Sequence, residues 1–206
     1  GGYKLNTNFH EVKDDLGRMF GFAYGTKENG AVFSHMVVMY ANALYQRGFV
    51  PEGYKAIRTL YRHCSDFDKS KIYPGIPEYI GPEGRGCYHY LTGSASWLML
   101  TVLTEMFGVK GNMGDLLLEP KLMPEQFDAN GKASVSLVFA DRKLKVQYHN
   151  PKELEYGRYK VGRIAIDGIL YEDGGSHTIL RSNIAGLDAE KEHTIAVVLI
   201  EDRSSL

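Results

Sequence analysis

A lysine, a glutamate and a histidine stand within nine residues of one another in the first quarter of this sequence. Lys27 and Glu28 lie just before an apolar stretch, and His35 lies within it. A cation beside a carboxylate can hold sugar hydroxyls through charged hydrogen bonds. A histidine on an apolar helix is more often a buried structural residue, and Glu28 can equally complement a helix dipole. Together the three predict a site for a polar ligand.

A second group, Thr92, Gly93 and Ser94, immediately precedes another strongly apolar stretch. The first N–H groups of a helix have no partners within the helix, so hydroxyls and a glycine here suit anion binding as well as ordinary capping. The formal net charge of −1 provides no general field for nucleic acid or an anionic membrane surface. An anion bound here must therefore be small and held locally.

The segment of residues 72–90 is rich in glycine, proline and tyrosine and is too long for a simple connection. We expect Glu78 and Tyr79 to line a sugar groove, with Tyr88 stacking nearby and Arg85 as an additional anion contact. Packing of the tyrosines within the loop is an equal alternative. The histidines form no i, i+4 pair with a carboxylate that would suggest a metal, so no metal site is predicted.

The elements that must position these residues are helical in the first part of the chain. Residues 31–46 and 94–107 are apolar on most faces and predict two buried helices. Between them, a helix opening at Pro51 is amphipathic, with Tyr54, Ile57, Leu60, Tyr61 and Cys64 on its apolar face. Alternating buried and half-exposed helices predict part of a two-layer helical ring, with too few helices to close it.

After Pro124 the apolar pattern changes to alternation, as in Val135, Leu137 and Phe139. Leu144, Val146 and Tyr148 repeat it, residues 164–171 contain an Asp-Gly hairpin turn, and further strands are predicted at 177–180 and 194–200. Five or six such strands favour an all-β sandwich or jelly roll. We therefore expect a mixed α and β protein, with a helical part over residues 1–118 and a β domain over 119–206.

The sequence suggests neither a membrane span nor a disulfide framework. Its longest apolar runs fall well short of the roughly 20 residues that cross a bilayer. Cys64 and Cys87 have no zinc-site spacing, so we expect two buried thiols and a reducing, cytoplasmic location. The chain starts without Met or a signal segment, which favours a piece of a longer protein.

The segments of residues 27–35 and 91–97 both resemble the signatures of the inverting β-glycoside phosphorylases of glycoside hydrolase family 94. This family includes cellobiose, cellodextrin, chitobiose and oligo-β-1,2-glucan phosphorylases. The resemblance rests on Lys-Glu-Asn-Gly with a following Ser-His at 27–35 and on Leu-Thr-Gly-Ser-Ala-Ser-Trp at 91–97. It implies that the chain contains the last helices of an (α/α)6 barrel, followed by a jelly-roll C-terminal domain. It also implies that His35, Thr92, Gly93 and Ser94 bind inorganic phosphate while Lys27 and Glu28 contact the sugar.

The activity implied by the resemblance is phosphorolysis of a β-linked gluco-oligosaccharide with inversion, giving α-glucose 1-phosphate and using inorganic phosphate without a cofactor. The aspartate that acts as general acid in such enzymes is expected before Gly1, and neither Asp14 nor Asp15 matches its motif. We therefore expect the chain alone to be inactive, with the missing N-terminal part as its partner and a homodimer as its assembly.

Two other functions remain open from the sequence. A related glycoside hydrolase or transferase would use Glu28 or Glu78 as a catalytic carboxylate and would release sugar without phosphate. A non-catalytic carbohydrate-binding or structural module would bind sugar and phosphate weakly or not at all.

Overall fold

The computed structural model describes residues 2–72, 75–89, 92–172 and 174–203. It divides into two compact units, Gly1–Thr101 and Val102–Leu206. The protein is of mixed α and β class, as the sequence predicts. Among the described residues no closed ring of helices is formed, and no helix has the length and apolarity that a bilayer crossing needs.

The helices of the first unit are α1 (Ser34–Gln46), α2 (Val50–Ser65), α3 (Phe67–Ser70) and α4 (Gly93–Thr101), preceded by 3-10 turns at Asp14–Leu16 and Arg18–Gly21. The predicted amphipathic helix is α2, with Pro51 in its first turn. Its buried face contains Ile57, Leu60 and Cys64. Tyr61, predicted on that face, is 60% exposed, because it follows Leu60 by one residue and so lies about 100° further round the helix.

The first apolar helix begins later than the sequence predicts. Val32–Phe33 forms a short strand, β1, and α1 starts directly after it at Ser34. One face of α1 buries Val37 and Val38 in a core with Leu60, Cys64, Ile76 and Ile80. The prediction that α1 is covered on most sides does not hold within this chain, since three of its large apolar side chains are exposed: Met36, Met39 and Tyr40.

The second apolar helix is shorter than predicted. Regular helix ends at Thr101, and Val102–Met106 follow as a π-helical turn assigned to the second unit. Three of the large apolar residues of α4, Trp97, Met99 and Leu100, are exposed. Regular α-helix therefore covers only the first part of the predicted range of residues 94–107.

A small antiparallel sheet in the first unit is absent from the sequence-based prediction. It consists of β1, β2 (Tyr79–Ile80) and β3 (Gly86–Cys87), in that order. Strands of two residues are too short to show an alternating pattern, which is why the sequence predicts a loop over this region. Residues 73, 74 and 90 of the predicted loop lie outside the described residues.

The second unit contains β4 (Val109–Asn112), β5 (Asp115–Leu118), β6 (Lys132–Phe139), β7 (Arg142–His149), β8 (Tyr159–Ile166), β9 (Ile169–Tyr171), β10 (Thr178–Ile179), the helix α5 (Arg181–Ala185) and β11 (Glu192–Glu201), with a 3-10 turn at Pro124–Gln126. One sheet has the order β10-β5-β4 and the other β6-β7-β11-β8-β9. The described residues thus form eight strands in this unit rather than five or six. The division at residues 118 and 119 stays a prediction for the complete protein.

The alternating pattern of the β region is confirmed by burial. Leu144, Val146 and Tyr148 on β7 are fully buried, as are Ile195 and Val197 on β11. These two strands pair in parallel, which the jelly-roll expectation did not include. The Asp-Gly hairpin is confirmed as well, since Asp167 and Gly168 both have positive φ, at 50° and 83°, between β8 and β9.

Candidate functional site

A buried asparagine, Asn29, holds the loop that carries Lys27 and Glu28 in place. The Asn29 amide donates to the Phe22 carbonyl at 2.6 Å and accepts from the Asn6 amide at 3.0 Å. The backbone around it closes a tight turn, in which Thr26 and Asn29 form an isolated bridge. Lys27 and Glu28 therefore stand at the tip of a turn with little conformational freedom.

Lys27 has a left-handed backbone, with φ of 50°, and its side chain lies between two aromatic rings. The ammonium nitrogen is 4.5 Å from the centroid of the Tyr88 ring and 5.7 Å from that of Phe22. Such cation–π contacts are worth about 0.5–1 kcal/mol at exposed sites. The predicted sugar contact Lys27 and the predicted stacking residue Tyr88 are thus brought together.

The small sheet connects Glu78 and Tyr79 to the start of α1. Phe33 pairs with Tyr79, and the Ser34 N–H donates to the Glu78 carbonyl at 2.8 Å. Tyr79 is only 8% exposed, and burial, helped by a hydrogen bond with Cys87, raises the pKa of its hydroxyl to about 12. Tyr79 therefore presents little ring surface, and its sugar-binding role stays a prediction.

His35 and Gly93, which are 58 residues apart in sequence, lie in contact. A Cβ placed on Gly93 would be 3.0 Å from Cε1 of His35 and 3.4 Å from Nε2. Trp97 contacts the same imidazole edge-on, with the ring centroids 4.2 Å apart. Glycine at position 93 thus lets the backbone at the start of α4 approach the imidazole closely.

Thr92 and Ser94 are bonded to each other at the start of α4. The Ser94 N–H donates to Oγ1 of Thr92 at 3.3 Å, which is the bond that a capping residue accepts. The two hydroxyl oxygens are 2.8 Å apart, and Oγ of Ser94 donates to the Pro77 carbonyl at 3.2 Å. The start of α4 is thereby tied to the strand segment that precedes Glu78.

Three polar side-chain atoms of this region are buried without a hydrogen-bond partner among the described residues. They are Oε2 of Glu28, Oγ of Ser34 and Nε2 of His35. Leaving such a group unsatisfied costs about 1–3 kcal/mol, so each of these atoms indicates a place where a polar ligand or water completes the bonding. Ser34 was missed by sequence reasoning, because the predicted helix began at residue 31 and so did not place Ser34 at its first position.

The remaining candidates lie apart from these contacts or are solvent-exposed. Arg85 is exposed, and its carbonyl accepts from the Gly81 N–H at 3.0 Å in the turn between β2 and β3. Asp14 and Asp15 are both exposed on a 3-10 turn. No group of three histidine, cysteine, aspartate or glutamate side chains is arranged to hold a metal ion within the described part of the chain.

A separate cavity of about 290 Å³ lies between the N-terminal residues, α2 and β2. Its walls include Val32, Leu60, Ile80 and His63, whose Nε2 is bonded to the Gly84 carbonyl at 2.7 Å. None of the predicted site residues lines it. Concavity alone therefore does not mark the candidate site, which is identified by its unsatisfied polar atoms.

No protein-family model matches this chain. It is 25% identical over 126 residues to cellobionic acid phosphorylase from Neurospora crassa, a match that covers 55% of this chain and 16% of that enzyme. The chain thus matches only a small part of the length of this curated relative. On this similarity the chain is a distant relative of part of a phosphorylase.

Proposed function

We propose that this chain is part of an inverting glycoside phosphorylase and holds inorganic phosphate beside the sugar that is transferred. The phosphate site consists of His35, Thr92 and Gly93, with Lys27 and Glu28 facing the sugar. The distant similarity to cellobionic acid phosphorylase supports the reaction class.

The observation that carries this proposal is the contact between His35 and the start of α4. The imidazole lies against Gly93, and its Nε2 is buried without a partner in the described residues. Two helices, α1 and α4, begin within two residues of the atoms that meet here. Each helix start contributes partial positive charge, which favours a small anion.

The proposed reaction needs residues that bind and orient the nucleophile more than it needs a general base. A phosphate oxygen attacks the anomeric carbon as the glycosidic C–O bond breaks, and a general acid protonates the leaving oxygen. Because phosphate is already an anion, no residue must remove a proton from it. His35, Thr92 and the Gly93 N–H serve to place phosphate on the face opposite the leaving group, so that the product is inverted.

The finer features of the complete enzyme are also proposals. The substrate is a β-linked gluco-oligosaccharide and the product α-glucose 1-phosphate, with the general acid supplied by a part of the enzyme outside these residues. The helices of residues 1–118 belong to an (α/α)6 barrel, and residues 119–206 form a jelly-roll or sandwich domain of the same polypeptide. The complete enzyme is a homodimer.

Replacing Thr92 or His35 in the complete enzyme tests the assignment. We expect Thr92→Val and His35→Asn to raise the KM for phosphate about tenfold or more, since each loses a hydrogen bond to the bound anion. The KM for oligosaccharide should change much less. Ser96→Ala, on the exposed side of the same helix turn, is the matched control. Equal rises in both KM values would contradict the phosphate role.

A glycoside hydrolase is the second candidate, favoured by the buried and unpartnered carboxylate oxygen of Glu28. In that reaction Glu28 would activate water as a general base, and a free reducing sugar would form without phosphate. Product analysis with and without phosphate separates the two reactions. Sugar 1-phosphate formed only with phosphate supports phosphorolysis, and free sugar at an unchanged rate without phosphate supports hydrolysis.

A further inference from the structure

Ser94 faces the interior of the first unit. Its side chain is 0% exposed, and its hydroxyl lies between Oγ1 of Thr92, at 2.8 Å, and the Pro77 carbonyl, at 3.2 Å. Both of its close partners belong to the protein. The family resemblance implies that Ser94 binds phosphate directly. Its position suits a different role better, in which Ser94 acts on the Thr92 hydroxyl.

The direction of the hydrogen bonds follows from counting protons. A hydroxyl has one proton to donate, and a carbonyl oxygen can only accept. Ser94 satisfies the Pro77 carbonyl with its single proton, so in the Thr92–Ser94 pair the proton comes from Thr92. Thr92 also accepts from the Ser94 N–H at 3.3 Å. What the threonine hydroxyl has left for a ligand is a lone pair.

We propose that Ser94 is a positioning residue that turns the Thr92 hydroxyl into an acceptor, and thereby favours anions that carry a proton over anions that do not. This inference rests on the proposed phosphate site. Hydrogen phosphate and dihydrogen phosphate each have a P–OH group that can donate to Thr92, whereas sulfate has none. A sulfate ion can accept from Thr92 only if the Thr92 proton turns away from Ser94, which gives up the hydrogen bond between the two hydroxyls.

The test compares phosphate with sulfate in the complete enzyme. At a fixed oligosaccharide concentration, the KM for phosphate and the inhibition constant of sulfate against phosphate are measured for the wild type and Ser94→Ala. Without Ser94 the Thr92 hydroxyl is free to donate, so the ratio of the sulfate inhibition constant to the phosphate KM should fall. We expect a fall of about 2- to 12-fold, which corresponds to one neutral hydrogen bond.

Two controls separate positioning from general damage to the helix. Ser96→Ala removes a hydroxyl from the same turn, where it donates to the Gly93 carbonyl at 3.0 Å without contacting Thr92, and should leave the ratio unchanged. Ser94→Thr keeps the hydroxyl and should restore the wild-type ratio. Loss of stability alone would lower the amount of active enzyme without changing a ratio of two constants.

The inference is overturned if the ratio stays at the wild-type value in Ser94→Ala, or falls equally in Ser96→Ala. Should the alanine variant not fold, Ser94→Cys fills the same space with a weaker hydrogen-bonding group, and an unchanged ratio there has the same meaning. Failure of the proposed function is a separate result, because a wild-type enzyme that shows no dependence on phosphate refutes the function before any variant is compared.

Discussion

The imidazole of His35 lies edge-on to the indole of Trp97, with the ring centroids 4.2 Å apart and the planes at 87°. Trp97 follows Gly93 by four residues and so lies one turn along the same face of α4. The helix that places its backbone against the imidazole therefore also supplies the ring that limits its rotation. His35 is held by α4 in two ways, although it belongs to α1.

We expect Trp97→Ala to weaken phosphate binding through His35. An aromatic pair of this geometry is worth about 0.5–1.5 kcal/mol, so the KM for phosphate should rise about 2- to 12-fold in the complete enzyme. Trp97→Phe should keep most of the affinity, because a ring remains. Met99→Ala, at an exposed position on the same helix, is the control, and a similar rise there would contradict a specific role for Trp97.

Gly93→Ala should separate stability from ligand binding. Gly93 is the first residue of α4, so the gain from alanine comes mainly from a less flexible unfolded chain, about 0.4–1 kcal/mol, and the melting temperature should change little. The new methyl group would lie 3.0 Å from Cε1 of His35 and displace the ring, which should raise the KM for phosphate. Gly21→Ala, where nothing lies within 4 Å of the new methyl, is the control. An unchanged phosphate KM in Gly93→Ala would rule out the close approach as functionally important.

The β domain contains a charged pair whose contribution to stability depends on pH. Nδ1 of His193 is 2.6 Å from Oδ2 of Asp167, and Nε2 is 2.8 Å from the Asp188 carbonyl. Both neighbours are acceptors, so the doubly protonated imidazolium is favoured and the pKa of His193 is raised above 6.5. The same contact, with the Thr194 N–H, lowers the pKa of Asp167 below 3.8.

Asp167→Asn tests this pair while keeping a residue that tolerates the left-handed turn. The histidine contribution is fully present below about pH 6.5 and is lost as the pH rises through its folded-state pKa. The aspartate contribution is present above about pH 4 and is lost in acid. We expect the variant to lose about 1 kcal/mol of unfolding free energy at pH 5.5, allowing for solvent screening of the half-exposed carboxylate, and less at pH 8.5. Urea unfolding followed by circular dichroism measures both, and equal losses at the two pH values would refute the assignment.

The two cysteines should differ in reactivity. Cys64 is buried, and burial raises the pKa of its thiol to about 11, so almost no thiolate exists at pH 7.5. Cys87 is partly exposed on β3. Alkylation of the native chain with iodoacetamide should therefore modify Cys87 alone, with Cys64 reacting only after denaturation, as peptide mass spectrometry can establish. Rapid modification of native Cys64 would contradict its buried position.

The local hydrophobic pattern was sufficient to predict those helices and strands that are long enough to repeat it. The apolar period of α2, the alternation in β6 and β7, and the Asp167-Gly168 turn are all evident in the sequence, because each depends on neighbours within a few residues. The residue types at Lys27, His35 and Thr92 likewise indicate a polar ligand by their chemistry and their position beside apolar stretches. These features are properties of short segments.

Tertiary structure decided everything that depends on residues distant in sequence. The strands β1, β2 and β3 have two residues each and are too short to show alternating hydrophobicity. Only their mutual pairing places Glu78 beside the start of α1. The parallel pairing of β7 with β11 is equally invisible, since it joins segments about fifty residues apart. Most important for the site, the sequence predicted a hydroxyl at Ser94 but not its direction, and burial against Pro77 turns that hydroxyl inward because a buried carbonyl needs a donor.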